Sequence, residues 1–179
     1  MPRRPATRRP RMILLLIAFG ALCWYGFMAV HESGHVLAAW VSGGSVERVV
    51  LHPLKFSRTD LGANPQPVFV ALAGAVWGCV LPLGAWLVAR RLKWKYEVLL
   101  RAFAGFCLVA NGAYLGAAFI LPVGDAEDLI RLGVPVWAFA VPGILAFGAG
   151  LWVWDGMKTR LGFKVVPSGT STPLENSDY

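Results

Sequence analysis

Four long stretches of this chain carry almost no charge, and each is long enough to cross a lipid bilayer. They run over about 12–41, 68–89, 98–121 and 134–154. At about 1.5 Å per residue, a helix of some 20 residues spans a hydrocarbon core of about 30 Å. In lipid every backbone polar group must be satisfied within the segment, so each stretch has to be helical. The expected fold is therefore an all-α polytopic membrane protein with four transmembrane helices. Pro82 and Pro142 fall inside the second and fourth spans, where a membrane helix tolerates a kink. Of 179 residues, 56% are hydrophobic and 15% charged, too few charges to coat a soluble domain.

Charge placement orients the spans. The formal net charge of +7 is concentrated in Arg3 to Arg11, in Arg90 to Lys95, and in Lys158, Arg160 and Lys164. Each cluster abuts an apolar span, as cytoplasmic flanks do, and four spans place all three on one side. The segments 42–67 and 122–135 then share the opposite side. A secretory signal peptide would share the basic start, but this apolar region is too long and no small-residue cleavage site follows. Nucleic-acid binding is disfavoured, because no basic face or recognition motif accompanies the charge. Trp40, Trp86, Trp94, Trp137, Trp152 and Trp154 lie near span ends, as interfacial anchors do. Cys23, Cys79 and Cys107 form no Cys-x-x-Cys pair and read as small buried hydrophobes. Nothing in the sequence sets an oligomeric state.

Between the first two spans, Gly43-Gly44 precedes a Val-rich run, Val46 to Leu51, which reads as a short membrane-associated β strand or the first half of a hairpin. The return strand is expected directly after Pro53, with Leu54 and Phe56 on one side, and Arg58 to Pro67 as irregular connection. The organisation is then a basic cytoplasmic segment (1–11), a membrane domain (12–154) and a polar tail (155–179) without periodicity.

Ionisable groups inside a membrane span are costly and mark function. The first span contains His31-Glu32-Ser33-Gly34-His35. Residues four apart share a helix face, so both imidazoles can converge on one ion, with Glu32 beside them. This His-Glu-x-x-His arrangement supplies two zinc ligands and a general base. Catalytic zinc usually takes a third protein ligand. Asp125 is the favoured candidate, because it leaves the distal end of the third span just after Pro122 and Gly124. Asp128 stands next, as ligand or as orienting group, and His52 behind it; Asp125 capping a short helix over 126–132 is the plainer reading. Asn111, inside the third span, requires a hydrogen-bond partner; substrate backbone, the loop near Asp125 and another helix are all open. Gly74 with Gly78, and Gly112 with Gly116, form small-residue packing faces.

These residues together resemble the site-2 protease family of intramembrane zinc metalloproteases, peptidase family M50. The likeness rests on His31 to His35 in a membrane helix, the Gly43-Gly44 strand region after it, and a later helix bearing Asn111 and followed by Asp125. It implies a zinc-dependent endopeptidase of the cell membrane that cleaves membrane-anchored proteins within or beside their transmembrane segment. Carried over, His31, His35 and Asp125 are zinc ligands, Glu32 is the base, and Val46 to Leu51 holds an unwound substrate by edge pairing. Two departures stand out. The family's Leu-Asp-Gly is here Val123-Gly124-Asp125-Ala126, and many members place zinc nearer the cytoplasmic face, whereas the charge clusters place it on the other. A noncatalytic metal-binding module that binds or sequesters transmembrane proteins is the alternative, made less favourable by the presence of Glu32.

Overall fold

The computed structural model describes residues 8–157 apart from 53, 54 and 56. Five helices and one hairpin follow in the order α1 (Arg8–Val41), β1 (Val46–Val50), β2 (Arg58–Leu61), α2 (Pro67–Arg91), α3 (Glu97–Gly116), α4 (Asp125–Arg131) and α5 (Trp137–Trp154). Four of the helices are long and apolar enough to cross a membrane. α1 has 34 residues, about 50 Å of helix, and its first half presents Met12 to Ile17 outward. An exposed apolar run of that kind is stable only against lipid. The protein is an integral membrane protein.

Helix ends follow local chemistry. α2 begins on Pro67, which is compatible with a first turn, and contains Pro82 in its interior. α3 ends at Gly116 and tightens into a 3-10 turn over Ala117–Phe119, so the third span stops short of Leu121. α5 starts at Trp137 rather than Val134, because Pro135 precedes it and disfavours helix at Val134.

Small residues set the helix spacing. α3 and α5 make the closest seam of the bundle; a Cβ on Gly112 would approach the Gly143 carbonyl oxygen of α5 to 2.7 Å. That is the small-residue packing expected where lipid offers no hydrophobic drive between helices. Gly34 of α1 faces α2 in the same way, with Trp77 Cβ 2.8 Å from where its own Cβ would lie. Cys23 and Cys107 are buried and Cys79 half-buried, all as free thiols. Trp40, Trp94, Trp137 and Trp152 are exposed near span ends, whereas Trp86 is buried and donates to Glu97 at 2.7 Å. Trp154 likewise donates inward, to the Ala102 carbonyl at 2.9 Å. These two rings therefore brace the bundle rather than anchor it.

The hairpin is antiparallel, with Arg48 opposite Asp60 and Val49 opposite Thr59. The second strand lies at Arg58–Leu61, within the stretch expected to be irregular. Its sequence has poor strand propensity, and pairing is secured across the hairpin, where Arg48 donates to Asp60 at 2.8 and 3.0 Å. The Leu54 and Phe56 expectation lies outside the described residues. So do most of the 1–11 segment and the tail from residue 158, including Lys158, Arg160 and Lys164.

Candidate metal centre

Four elements meet at one end of the bundle: the last turns of α1, the first turns of α2, the end of α3, and α4. Arg11, Arg90, Arg91, Lys93 and Lys95 lie at the opposite end, where α1 begins and α2 leads into α3. His31, Glu32, His35 and Asn111 are all at most 7% exposed.

One turn of α1 separates His31 from His35 and brings their rings to 5.0 Å, with the two Nε2 atoms 3.2 Å apart. Asp125 Oδ2 lies 3.0 Å from His31 Nε2 and 3.3 Å from His35 Nε2. Donor atoms of these three residues all fall within 4.8 Å of one another. Asp128 is not among them; its side chain is 62% exposed and faces Arg131 at 3.7 Å. His52 is outside the cluster as well. Asp125 does not cap α4 either: the N-cap is Gly124, and the Asp125 carboxylate turns to the histidines instead.

The surrounding hydrogen bonds decide what the donor atoms can accept. Asn111 Nδ2 donates to the Cys107 carbonyl at 3.0 Å, which leaves Oδ1 as the atom facing His31 Nδ1 at 2.8 Å. An amide oxygen only accepts, so His31 carries its proton on Nδ1 and presents a bare Nε2. His35 Nδ1 donates to the Val70 carbonyl of α2 at 2.8 Å, with the same consequence. Two imidazole lone pairs and a carboxylate oxygen thus point at one another inside an apolar bundle. Three such acceptors require a positive partner between them, and nitrogen–nitrogen–oxygen donors of this kind suit zinc. The residues present fit the ion that the family resemblance implies.

Asp125 is held from two sides. Its N–H donates to the Tyr114 hydroxyl at 2.7 Å, and Gly124 before it has φ +54°, a conformation that glycine adopts without strain. A Cβ at Gly124 would also collide with that hydroxyl.

Gly74 is the site residue that sequence reasoning treated as packing alone. A Cβ there would overlap His35 Nε2 and come within 2.7 Å of His31 Nε2. α2 therefore passes directly beside the donor atoms, and only glycine leaves them clear. Its helical spacing from Gly78, which packs on Asn111, resembles an ordinary packing face, so no sequence signal separated the two roles.

Glu32 turns to the hairpin. Ser57 donates to its Oε1 at 2.6 Å and Thr59 to its Oε2 at 2.7 Å. A cavity of about 720 Å³ opens along these groups, walled by Trp24, Phe27 and Met28 of α1, Ala110, Ala113 and Tyr114 of α3, and Asp125 and Asp128 of α4. Ser57, Arg58, Thr59 and Leu61 close its hairpin side. The hairpin thus meets the cavity through β2 and the residue before it, while Val46 to Leu51 contributes nothing to the wall. Asn64, also in the wall, buries an Oδ1 for which the described residues provide no donor.

Four membrane helices thus gather imidazoles at i and i+4, a neighbouring glutamate and an aspartate from a later helix at one end of the bundle. The chain belongs to the peptidase M50B-like family, which it matches over residues 12–123. That span includes His31, Glu32, His35, Gly74 and Asn111, and it ends two residues before Asp125. No curated protein and no solved structure matches the chain significantly.

Proposed function

We propose that this protein is a zinc-dependent endopeptidase of the cell membrane, hydrolysing peptide bonds of membrane-anchored proteins within or near their transmembrane segment. The observation that carries the reading is the convergence of His31 Nε2, His35 Nε2 and Asp125 Oδ2 at the wall of a cavity that also contains Glu32. Family membership supports a peptidase, and the four apolar helices support a substrate that shares the bilayer.

His31, His35 and Asp125 would hold the metal, with Asn111 and the Val70 carbonyl fixing the two rings. Bound zinc supplies Lewis acidity, lowering the pKa of a water toward 7 and polarising a carbonyl. Glu32 takes a proton from the attacking water and returns it to the departing amide nitrogen. The water oxygen forms the new bond to the acyl carbon as the C–N bond breaks, so one water is consumed per bond cleaved. The cavity between α1, α3 and the hairpin has room for an unwound stretch of substrate, while the apolar rings of Trp24 and Phe27 suit its side chains. The Asp128 and Arg131 side gives water a polar approach.

Purified protein in liposomes, incubated with a panel of membrane-spanning peptides, tests this. Cleavage should require zinc and should fall by about 10²- to 10⁴-fold in Glu32→Gln, the usual effect of losing a general base. Full cleavage by Glu32→Gln, or in the presence of a zinc chelator, would overturn the assignment.

A further inference from the structure

We infer that Ser57 and Thr59 are positioning residues for Glu32, orienting its carboxylate from the hairpin; the inference rests on the proteolytic reading above. Glu32 is 3% exposed on a membrane-spanning helix. A buried carboxylate without donors is strongly disfavoured, so whatever contacts it determines where it points. Both contacts come from the hairpin, one on each oxygen: Ser57 Oγ at 2.6 Å and Thr59 Oγ1 at 2.7 Å.

Strand geometry explains the pairing. Residues two apart lie on one face, so Ser57 and Thr59 both turn toward α1, and Leu61 follows them into the contact with Ala38, Ala39 and Val70. Arg58 and Asp60 alternate to the other face, where Arg58 donates to Asp60 at 3.0 Å. Both guanidinium groups of the hairpin, Arg48 and Arg58, pair with Asp60. A guanidinium would neutralise the glutamate charge, whereas a hydroxyl fixes the plane of the carboxylate and leaves its charge in place. Each oxygen has two lone pairs, so one hydroxyl bond apiece leaves a second acceptor direction open to a water in the cavity. Two bonds, one from β2 and one from the residue before it, therefore restrict the last torsion of Glu32, the coordinate on which proton transfer geometry depends. A docked hairpin and an aligned base are then one condition.

The test uses Ser57→Ala, Thr59→Val, the double variant and Thr59→Ser, with a quenched-fluorescent membrane-spanning peptide that the wild type cleaves. Each single loss should reduce kcat by about 10-fold and the double by about 100-fold, with KM and zinc affinity unchanged, and Thr59→Ser should recover most of the wild-type kcat. Hydrogen exchange supplies a readout independent of turnover. Amides of 57–61 should exchange faster in Thr59→Val and, reciprocally, in Glu32→Ala. Wild-type kcat in the double variant overturns the inference. So does a raised kcat, which would make the hydroxyls a restraint holding the base away, or a raised KM alone, which would assign them to substrate binding. A zinc-loaded wild type that cleaves no peptide overturns the proteolytic reading and the catalytic role of the pair with it. Unchanged hairpin exchange in Glu32→Ala would overturn the link itself, whatever the peptides do.

Discussion

Asn111 Oδ1 accepts the Nδ1 proton of His31 at 2.8 Å, across 80 positions of sequence and between α1 and α3, which also pack through Phe27 and Phe106. The bond fixes both the tautomer and the plane of the imidazole, because Asn111 is itself held by the Cys107 carbonyl one turn earlier. As a bond between α1 and α3 it also joins the two helices, the interhelical role that the sequence left open.

Removing that partner should therefore weaken metal binding without dismantling the bundle. In Asn111→Leu the ring is free to rotate and its Nδ1 is left without an acceptor. Zinc affinity should drop by about 10- to 100-fold, the usual effect of deleting an outer hydrogen-bond partner. Competition against a chromophoric chelator measures it, and wild-type affinity in the variant would rule out the orienting role.

Gly74→Ala should be more severe. The added methyl overlaps His35 Nε2, and the atoms that would have to give way are the donor atoms themselves. Zinc affinity should fall by at least about 100-fold, beyond the effect of losing an outer partner. Gly84→Ala on the same helix is the control, since a Cβ there meets nothing within 4 Å. It should bind zinc normally and change stability by no more than about 1 kcal/mol. Equal zinc affinity in the two variants would show that α2 does not approach the site as described.

Asp125 and Asp128 are one helical turn apart and separable by the same titration. Asp125→Ala removes an oxygen 3.0 Å from His31 Nε2, whereas Asp128→Ala removes a largely exposed partner of Arg131. The first should lower zinc affinity by at least about 100-fold, and the second should leave it within about 3-fold, as expected for a ligand against a surface charge. Intact affinity in Asp125→Ala would transfer the ligand role elsewhere.

How much of this was legible in the sequence follows the range of each interaction. The four spans are local properties of composition, and His31 with His35 is a helix-period pattern, so both could be read from adjacent residues. Pro122 and Gly124 marked the turn that carries Asp125 back to the bundle. β2 was not legible, because Arg58-Thr59-Asp60-Leu61 lacks apolar alternation and owes its pairing to Arg48 ten or more positions away. Ser57 and Thr59 carried no signal of their own for the same reason; their partner, Glu32, lies on another element. Gly74 was visible as a small residue, but a helix-facing and a metal-facing glycine look alike until the helices are placed.

The hairpin should also respond to pH, through Asp60. The Arg48 hydrogen bonds to its carboxylate, reinforced by Arg58, hold this carboxyl below the usual range even though it is exposed to solvent. A group whose pKa is lower folded than unfolded stabilises the fold above its unfolded value, near 4, and loses that contribution as pH falls through the folded value. Protection of the 46–61 amides, corrected for intrinsic exchange, should thus be flat at neutral pH and decline below about pH 4. Asp60→Asn should remove this component of the decline and lower protection already at neutral pH, and added salt should shrink the difference from wild type, because the pair is exposed. The same variant should perturb Thr59, which sits between Arg58 and Asp60, so a small decrease in kcat should accompany the loosened hairpin. Identical pH profiles for wild type and Asp60→Asn would show that the ion pairs do not hold β2 against β1.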